Sequence, residues 1–257
     1  ANKMNIRLAH LESGLRSFDK GMPEEHNRII IDQLADIHFV TEKSGMLNLE
    51  KEKLLANHTY FVGNTMIDTL FALTPEIDNS AIIKELSLQD DAFILLTMHR
   101  PRNVDNKENV EKLIRLLKKL TKRKQVVFPL HPRTEKNVKA FNLYNSLLEI
   151  EDLFVTQPMA YLEFQKCIKE AHLVITDSGG IQEETTFQKV PCLTIRVNTE
   201  RPSTIESGSN QLIEFDPEII ISKVQQVESQ DRSEWTVPEL WDGKATERVA
   251  EILASIL

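Results

Sequence analysis

Short apolar runs alternate with stretches of helical period along this chain. Runs of strand length and character fall at 6–11, 37–40, 60–62, 93–97, 126–129, 153–155, 173–176 and 192–195. Helical patterns fall between them, at 24–36, 44–55, 65–73, 106–123, 160–171 and 180–189. The helix at 106–123 is the most regular: Val110, Leu113 and Leu117 form one apolar stripe, with Leu116 and Leu120 beside it. Strands that alternate with helices predict an α/β fold, with parallel sheets covered on both faces. The tail at 242–257 reads as a terminal amphipathic helix. The polar stretch 74–91 breaks the alternation and predicts a domain boundary.

The chain has 257 residues, enough for one large domain or two ordinary ones. A net charge of −8 argues against a protein built to bind nucleic-acid backbone, but leaves room for a local phosphate pocket. Cys167 and Cys192 are too few for a disulfide framework and match no metal spacing, so both are expected in the core and the setting is expected to be reducing and cytoplasmic. No apolar run approaches the ~20 residues that a bilayer-spanning helix needs. The run at 6–11 reads as a core strand with no neighbour before it, so the chain is expected to start inside a domain.

The candidate chemistry sits at predicted strand ends, the edge where open α/β sheets bind ligands. In "LVITDSGGIQEETTF" a strand runs into Asp177, Ser178, Gly179 and Gly180, and a helix follows. The first N–H groups of that helix favour an anion, and the glycines permit φ > 0 and close approach by a phosphate. The plainer reading is a strand–helix corner capped by Ser178 or Asp177. Glu183 and Glu184 diverge by about 100° on a helix, so one can serve the turn while the other grips sugar hydroxyls.

Glu12 ends the first predicted strand and Arg16 follows within a turn, while Glu24 and Glu25 open a helix behind Pro23. Paired carboxylates of this kind split their pKa values and support acid–base work. His99 with Arg100, and His131 with Arg133, close two further strands and suit a phosphate or a developing anion. Thr199 and Arg201 follow another. Polar clusters on so many strand ends favour a site at that edge. His38 and His172 lie in apolar surroundings and read as structural.

Taken together, "HLESGLRS", "MPEEHNR", "GNTMID", "LTMHRPRNV", "PLHPRT", "TDSGGIQEE" and "TERPSTIESGSN" resemble the motifs of the non-hydrolysing UDP-N-acetylglucosamine 2-epimerases, in that family's order. The resemblance implies two Rossmann-like domains of GT-B type. The first, at 1–75, would be incomplete; a linker at 76–91 and a UDP-binding domain at 92–235 would follow, and the helix at 236–257 would pack back on the first domain. It implies inversion of C2 of UDP-GlcNAc to give UDP-ManNAc, a precursor of cell-surface polysaccharide, by elimination and re-addition of UDP. No metal or nicotinamide is implied, and a homodimer is possible. By the same resemblance Glu12, Glu24 and His99 are catalytic. Ser178, Gly179 and Gly180 hold the diphosphate, Glu184 the ribose, and Arg16 and Arg201 the substrate. Phe164 lies in the uracil region, and Arg100 and His131 match a region where bacterial members bind a second, activating UDP-GlcNAc. The family's "GTRPE" and "GDT" turns do not occur here, which implies that the N-terminal segment is lacking. Ser13 stands where the family has Ala. A UDP-binding fragment without turnover, a GT-B glycosyltransferase and a hydrolysing epimerase are the competing readings.

Overall fold

A computed structural model describes every residue except Ala56, Asp90, Asp91, Glu228, Ser229, Asp231 and Leu257, and the side chains of Asn2 and Arg232. In chain order the elements are β1 (Ala9–Leu11), α1 (Pro23–Leu34), β2 (Ile37–Val40), α2 (Lys43–Lys51), β3 (Thr59–Phe61), α3 (Thr65–Ala72), α4 (Thr74–Asp78), α5 (Ile82–Glu85), β4 (Phe93–Thr97), α6 (Pro101–Val104), α7 (Lys107–Leu120), β5 (Gln125–Pro129), α8 (Pro132–Ala140), α9 (Tyr144–Leu148), β6 (Leu153–Thr156), α10 (Tyr161–Glu170), β7 (Leu173–Thr176), α11 (Gly180–Phe187), β8 (Cys192–Ile195), α12 (Pro202–Glu206), β9 (Asn210–Ile213), α13 (Pro217–Val227) and α14 (Ala245–Ile256). Among the described residues, no helix is long and apolar enough to cross a membrane.

The chain divides into two compact units. The first comprises Ala1–Thr74, Asn198–Ser207 and Val237–Leu257; the second comprises Pro75–Val197 and Gly208–Thr236.

The first unit is built on a parallel sheet ordered β1-β2-β3. Strand β2 is flanked on both sides and all four of its residues are buried. Ile37, Phe39 and Val62 form its core, and Val249, Ile252, Leu253 and Ile256 of α14 pack against it. Asp68 accepts the Ala245 and Thr246 N–H groups at the start of α14, satisfying two of the donors that a helix leaves open there. Trp241 Nε1 donates to Thr41 O at 3.2 Å, tying the segment before that helix to the end of β2.

The second unit is a fully parallel sheet ordered β6-β5-β4-β7-β8-β9. Its strands read as continuous apolar runs because both faces are covered. Ile94, Leu96, Val126 and Phe128 face one apolar layer, with residues of α7, α8 and α13. Phe93, Leu95 and Val127 face the other, with residues of α5, α10 and α11. The chain moves outward from β4 through β5 to β6, then returns to place β7 on the other side of β4 and continues to β8 and β9. The order therefore reverses between β4 and β7, and the crevice at their carboxyl ends is where such a sheet receives a ligand.

The structure departs from the expected boundaries in several places. The strand at 6–11 shortens to β1; Ile6 and Leu11 are exposed, because β1 pairs only with β2 among the described residues. The stretch 76–91 is not a bare linker. Residues 76–78 lie in α4 and residues 82–85 form α5, which together bury Ile77, Ile82 and Ile83 in the second unit; residues 90–91 lie outside the described ones. Segment 198–207 joins the first unit, not the second. Strand β9 carries no alternating apolar signal, since Asn210 and Gln211 open it. Asn210 is buried because it bonds Thr194 Oγ1 at 2.6 Å and Gln182 Oε1 at 3.1 Å.

Candidate functional site

At the reversal point of the second unit, β4 delivers His99 and β7 delivers Asp177. The two strands are paired in register, with Thr97 opposite Thr176, and the hydroxyls of that pair lie 2.7 Å apart. Asp177 is fully buried. Its carboxylate accepts the backbone N–H groups of His99 and Arg100, the latter at 2.8 Å, and the Asn103 amide at 3.0 Å. His99 Nδ1 lies 3.0 Å from Asp177 Oδ1. Burial pushes the Asp177 carboxyl up, but these donors outweigh burial and hold it below its ordinary range. An ionised Asp177 favours the tautomer with the proton on His99 Nδ1, which leaves Nε2 as the nitrogen not engaged by Asp177.

His131 stacks obliquely on His99, with ring centroids 5.0 Å apart. Its Nδ1 accepts the Arg133 N–H and caps α8 ahead of Pro132. Burial and then the neighbouring His99 lower its pKa, despite the opposing charge of Asp177. Arg100 is anchored by Nε to the Asp177 carbonyl at 2.8 Å.

Ser178, Gly179 and Gly180 are half-buried at the start of α11. The expectation that these glycines supply positive φ is corrected: Gly179 has φ −74° and Gly180 is already helical. What they contribute is the missing Cβ, which leaves the first helical N–H groups approachable by an anion. Asp177 does not cap this helix, as the corner reading had it; it is spent on His99, Arg100 and Asn103. The Ser178 N–H is held by Thr176 Oγ1 at 3.0 Å.

Glu183 and Glu184 both lie low, Glu183 at 1% exposure and Glu184 at 9%. Burial raises the pKa of Glu184, against a hydrogen bond with Gln165. The Tyr161 hydroxyl is pushed up to about 12 by burial and by the charge of Glu184, so Glu184 faces the start of α10. Phe164, on the same helix, packs partly buried against the apolar layer that includes Ile181.

In the first unit Glu12 follows β1 in a left-handed conformation, φ +65°. Its partner is Arg201, with Nη2 at 3.6 Å from Oε2. Arg201 Nη1 also meets Glu200 at 2.7 Å, and Glu200 meets Arg28 at 3.3 Å. Ser203 and Ser44 both donate to the buried Glu42.

The sequence permits a pairing of Glu12 with Glu24 or Glu25, and the structure gives Glu12 and Glu25 other partners. Glu25 is buried and accepts from the Ser17 N–H and hydroxyl and the Phe18 N–H, while Glu24 is exposed one residue earlier on α1. Arg16, expected to hold substrate, has a buried side chain engaged by other charges here, with Nε and Nη2 on Glu52 at 2.8 and 2.6 Å and Nη1 on Asp32 at 2.7 Å. Burial opposes its charge, but the Glu52 and Asp32 hydrogen bonds outweigh that and raise its pKa. Sequence reasoning did not single out Asp32, Glu42, Asn103, Arg28 or Glu200, and placed Asp177 only as a helix cap. Asp177 alone of these had a signal, its place in the glycine turn; the others become visible through contacts distant in sequence.

Parallel α/β units with a polar site at the strand ends define the class: a GT-B-type fold. The chain belongs to the UDP-N-acetylglucosamine 2-epimerase family, whose sequence profile matches residues 1–254. It is 38% identical over 258 residues to the UDP-N-acetylglucosamine 2-epimerase of Methanocaldococcus jannaschii, covering 98% of this chain and 70% of that one. The crystal structure of the M. jannaschii enzyme in complex with UDP-GlcNAc and UDP matches with a TM-score of 0.90 at 39% identity, over 99% of this chain and 71% of that one. A UDP-2,3-diacetamido-2,3-dideoxy-D-glucuronate 2-epimerase of Pseudomonas aeruginosa is 33% identical, covering 100% of this chain and 70% of that one.

Proposed function

We propose that this chain is an isomerase that inverts C2 of UDP-GlcNAc to give UDP-ManNAc. The observation that carries the reading is the Asp177–His99 pair beside the open amino end of α11 at the sheet's reversal point. That arrangement holds a diphosphate and steadies it as it leaves. Ser178, Gly179 and Gly180 take the diphosphate, Glu184 the ribose and Phe164 the uracil side. His99, through Nε2, and Arg100 meet the departing phosphate.

The reaction runs in two halves. A base removes the C2 proton and the C1–oxygen bond to UDP breaks, leaving a 2-acetamidoglucal and UDP. UDP then adds back at C1 as a proton reaches C2 on the other face. Two proton-carrying groups are needed, and Glu12 and Glu24 are assigned to them, with Arg201 holding Glu12 and the substrate. The setting is cytoplasmic and the product feeds cell-surface polysaccharide; the protomer pairs with a second copy.

The test is incubation with UDP-GlcNAc in D2O, followed by proton NMR. The expected result is UDP-ManNAc carrying deuterium at C2. Binding of UDP without any exchange at C2 would instead favour a nucleotide-binding fragment. The P. aeruginosa relative supports a second substrate for the same experiment: exchange with the diacetamido glucuronate and none with UDP-GlcNAc would reassign the sugar but keep the chemistry.

A further inference from the structure

The turn that carries Glu12 is held from an unexpected side. Glu12 has φ +65° and Gly14 has φ +79°, so two left-handed residues fall within three positions. A non-glycine residue in that region is strained, and the strain persists only when the surroundings over-determine it. The restraint comes from Asp32, on the third turn of α1. Asp32 is buried at 1% exposure and reaches both flanks of Glu12. Ahead of it, His10 Nδ1 lies 2.6 Å from Asp32 Oδ1. Behind it, the Gly14 N–H and Arg16 Nη1 both reach Oδ2, at 3.0 and 2.7 Å. Ser13 completes the turn, its N–H donating to Phe39 O at 3.1 Å and its hydroxyl to His10 O at 3.0 Å. Gly14 is pressed so close to α2 that an added Cβ would stand 2.3 Å from Gly45 O, so the turn has one place to sit.

We propose that Asp32 is a positioning residue for the epimerisation: by accepting hydrogen bonds from His10, Gly14 and Arg16 it holds the strained turn that aims the Glu12 carboxylate. The proposal rests on the catalytic role given to Glu12 above. Among the described residues no hydrogen bond or ion pair joins Asp32 to Glu12, so it acts on Glu12 through the backbone. Removing its charge frees both flanks of the turn and lets Glu12 relax out of the left-handed region. A misplacement of about 1 Å at a reacting group can cost on the order of 100-fold in rate. The helix that carries Asp32 also begins with Glu24, so one carboxylate ties the mounts of both assigned acid–base groups together.

The experiment compares wild type, Asp32→Asn, Glu12→Gln and the double variant in the full chain. Asp32→Asn should lower kcat for C2 exchange by about 100-fold while KM and the UDP dissociation constant stay within about threefold. In the Glu12→Gln background the same substitution should cost less than about threefold, because its route of action is already gone. Multiplicative losses, or a KM that rises in step with the fall in kcat, would overturn the proposal. His10→Ala removes one of the three donors and guards against a folding failure of Asp32→Asn; it should give a smaller loss with the same split. Amide exchange gives a readout free of turnover. The Gly14 N–H should exchange at least about tenfold faster in Asp32→Asn while α11 amides keep their rates. Unchanged Gly14 protection overturns the clamp even if the wild-type chain proves inactive, whereas wild-type inactivity with lost Gly14 protection sinks only the functional reading.

Discussion

Asp177 Oδ1 lies 3.0 Å from His99 Nδ1, and the same carboxylate accepts the backbone N–H groups of His99 and Arg100. One buried anion thus fixes the imidazole and the loop that carries it. The pair is 78 residues apart in sequence and meets because β4 and β7 are neighbours across the reversal point.

Asp177→Asn keeps the shape but replaces an acceptor by a donor facing other donors, and frees the His99 tautomer. Turnover should fall by roughly 100-fold or more, the scale of a positioned acid or base, and stability by about 1–3 kcal/mol for unsatisfied buried donors. Steady-state exchange kinetics and thermal unfolding check both. Unchanged kcat would mean that His99 takes no part through this pair.

Glu184→Ala should weaken UDP binding about tenfold, near 1.4 kcal/mol, since Glu184 is the less buried of the two and faces the start of α10. Glu183→Ala should lower the melting temperature with UDP affinity little altered. Calorimetric titration of both variants decides the division, and equal losses of affinity would refute it.

Arg16→Lys keeps a positive charge but loses the two-pronged contact with Glu52 and the reach to Asp32. Stability should drop by about 3 kcal/mol, within the range for breaking a buried pair, while UDP binding by the folded protein is preserved. Denaturant unfolding with a parallel UDP titration tests this. A variant of wild-type stability that no longer binds UDP would return Arg16 to the substrate.

Glu42 gives a pH signature. Burial raises its pKa above the ordinary 4.5, despite hydrogen bonds from Ser203 and Ser44. A carboxyl whose folded pKa is raised stabilises the fold below its unfolded pKa and loses that contribution as pH rises through the folded value. Glu42→Gln does not titrate. Its melting temperature relative to wild type should therefore climb between about pH 4 and 7, a span that brackets the ordinary carboxylate pKa. A flat difference across that span contradicts the raised pKa.

Much of the second unit was legible along the chain. β4, β7 and β8 fall where the apolar runs predict them, because a strand buried on both faces must be apolar throughout. The motif "TDSGGIQEE" announced a strand, a turn and a helix by itself. β9 escaped because its opening residues are polar and are satisfied by Thr194 and Gln182, partners that no local window contains. In the first unit Glu12 could be found from its place after a strand, but its partner could not.

The sequence by itself determined the alternation of strands and helices, the strand-end positions of His99, Asp177 and Glu12, and the family. Those are set by local periodicity and short-range turn chemistry. Only the tertiary structure decided which charges meet: that Glu12 meets Arg201, that Arg16 is spent on Asp32 and Glu52, and that Asp177 serves His99 and not its own helix. Buried charges and donors must find partners wherever the sheet order brings them, and that order is a property of the packed chain as a whole.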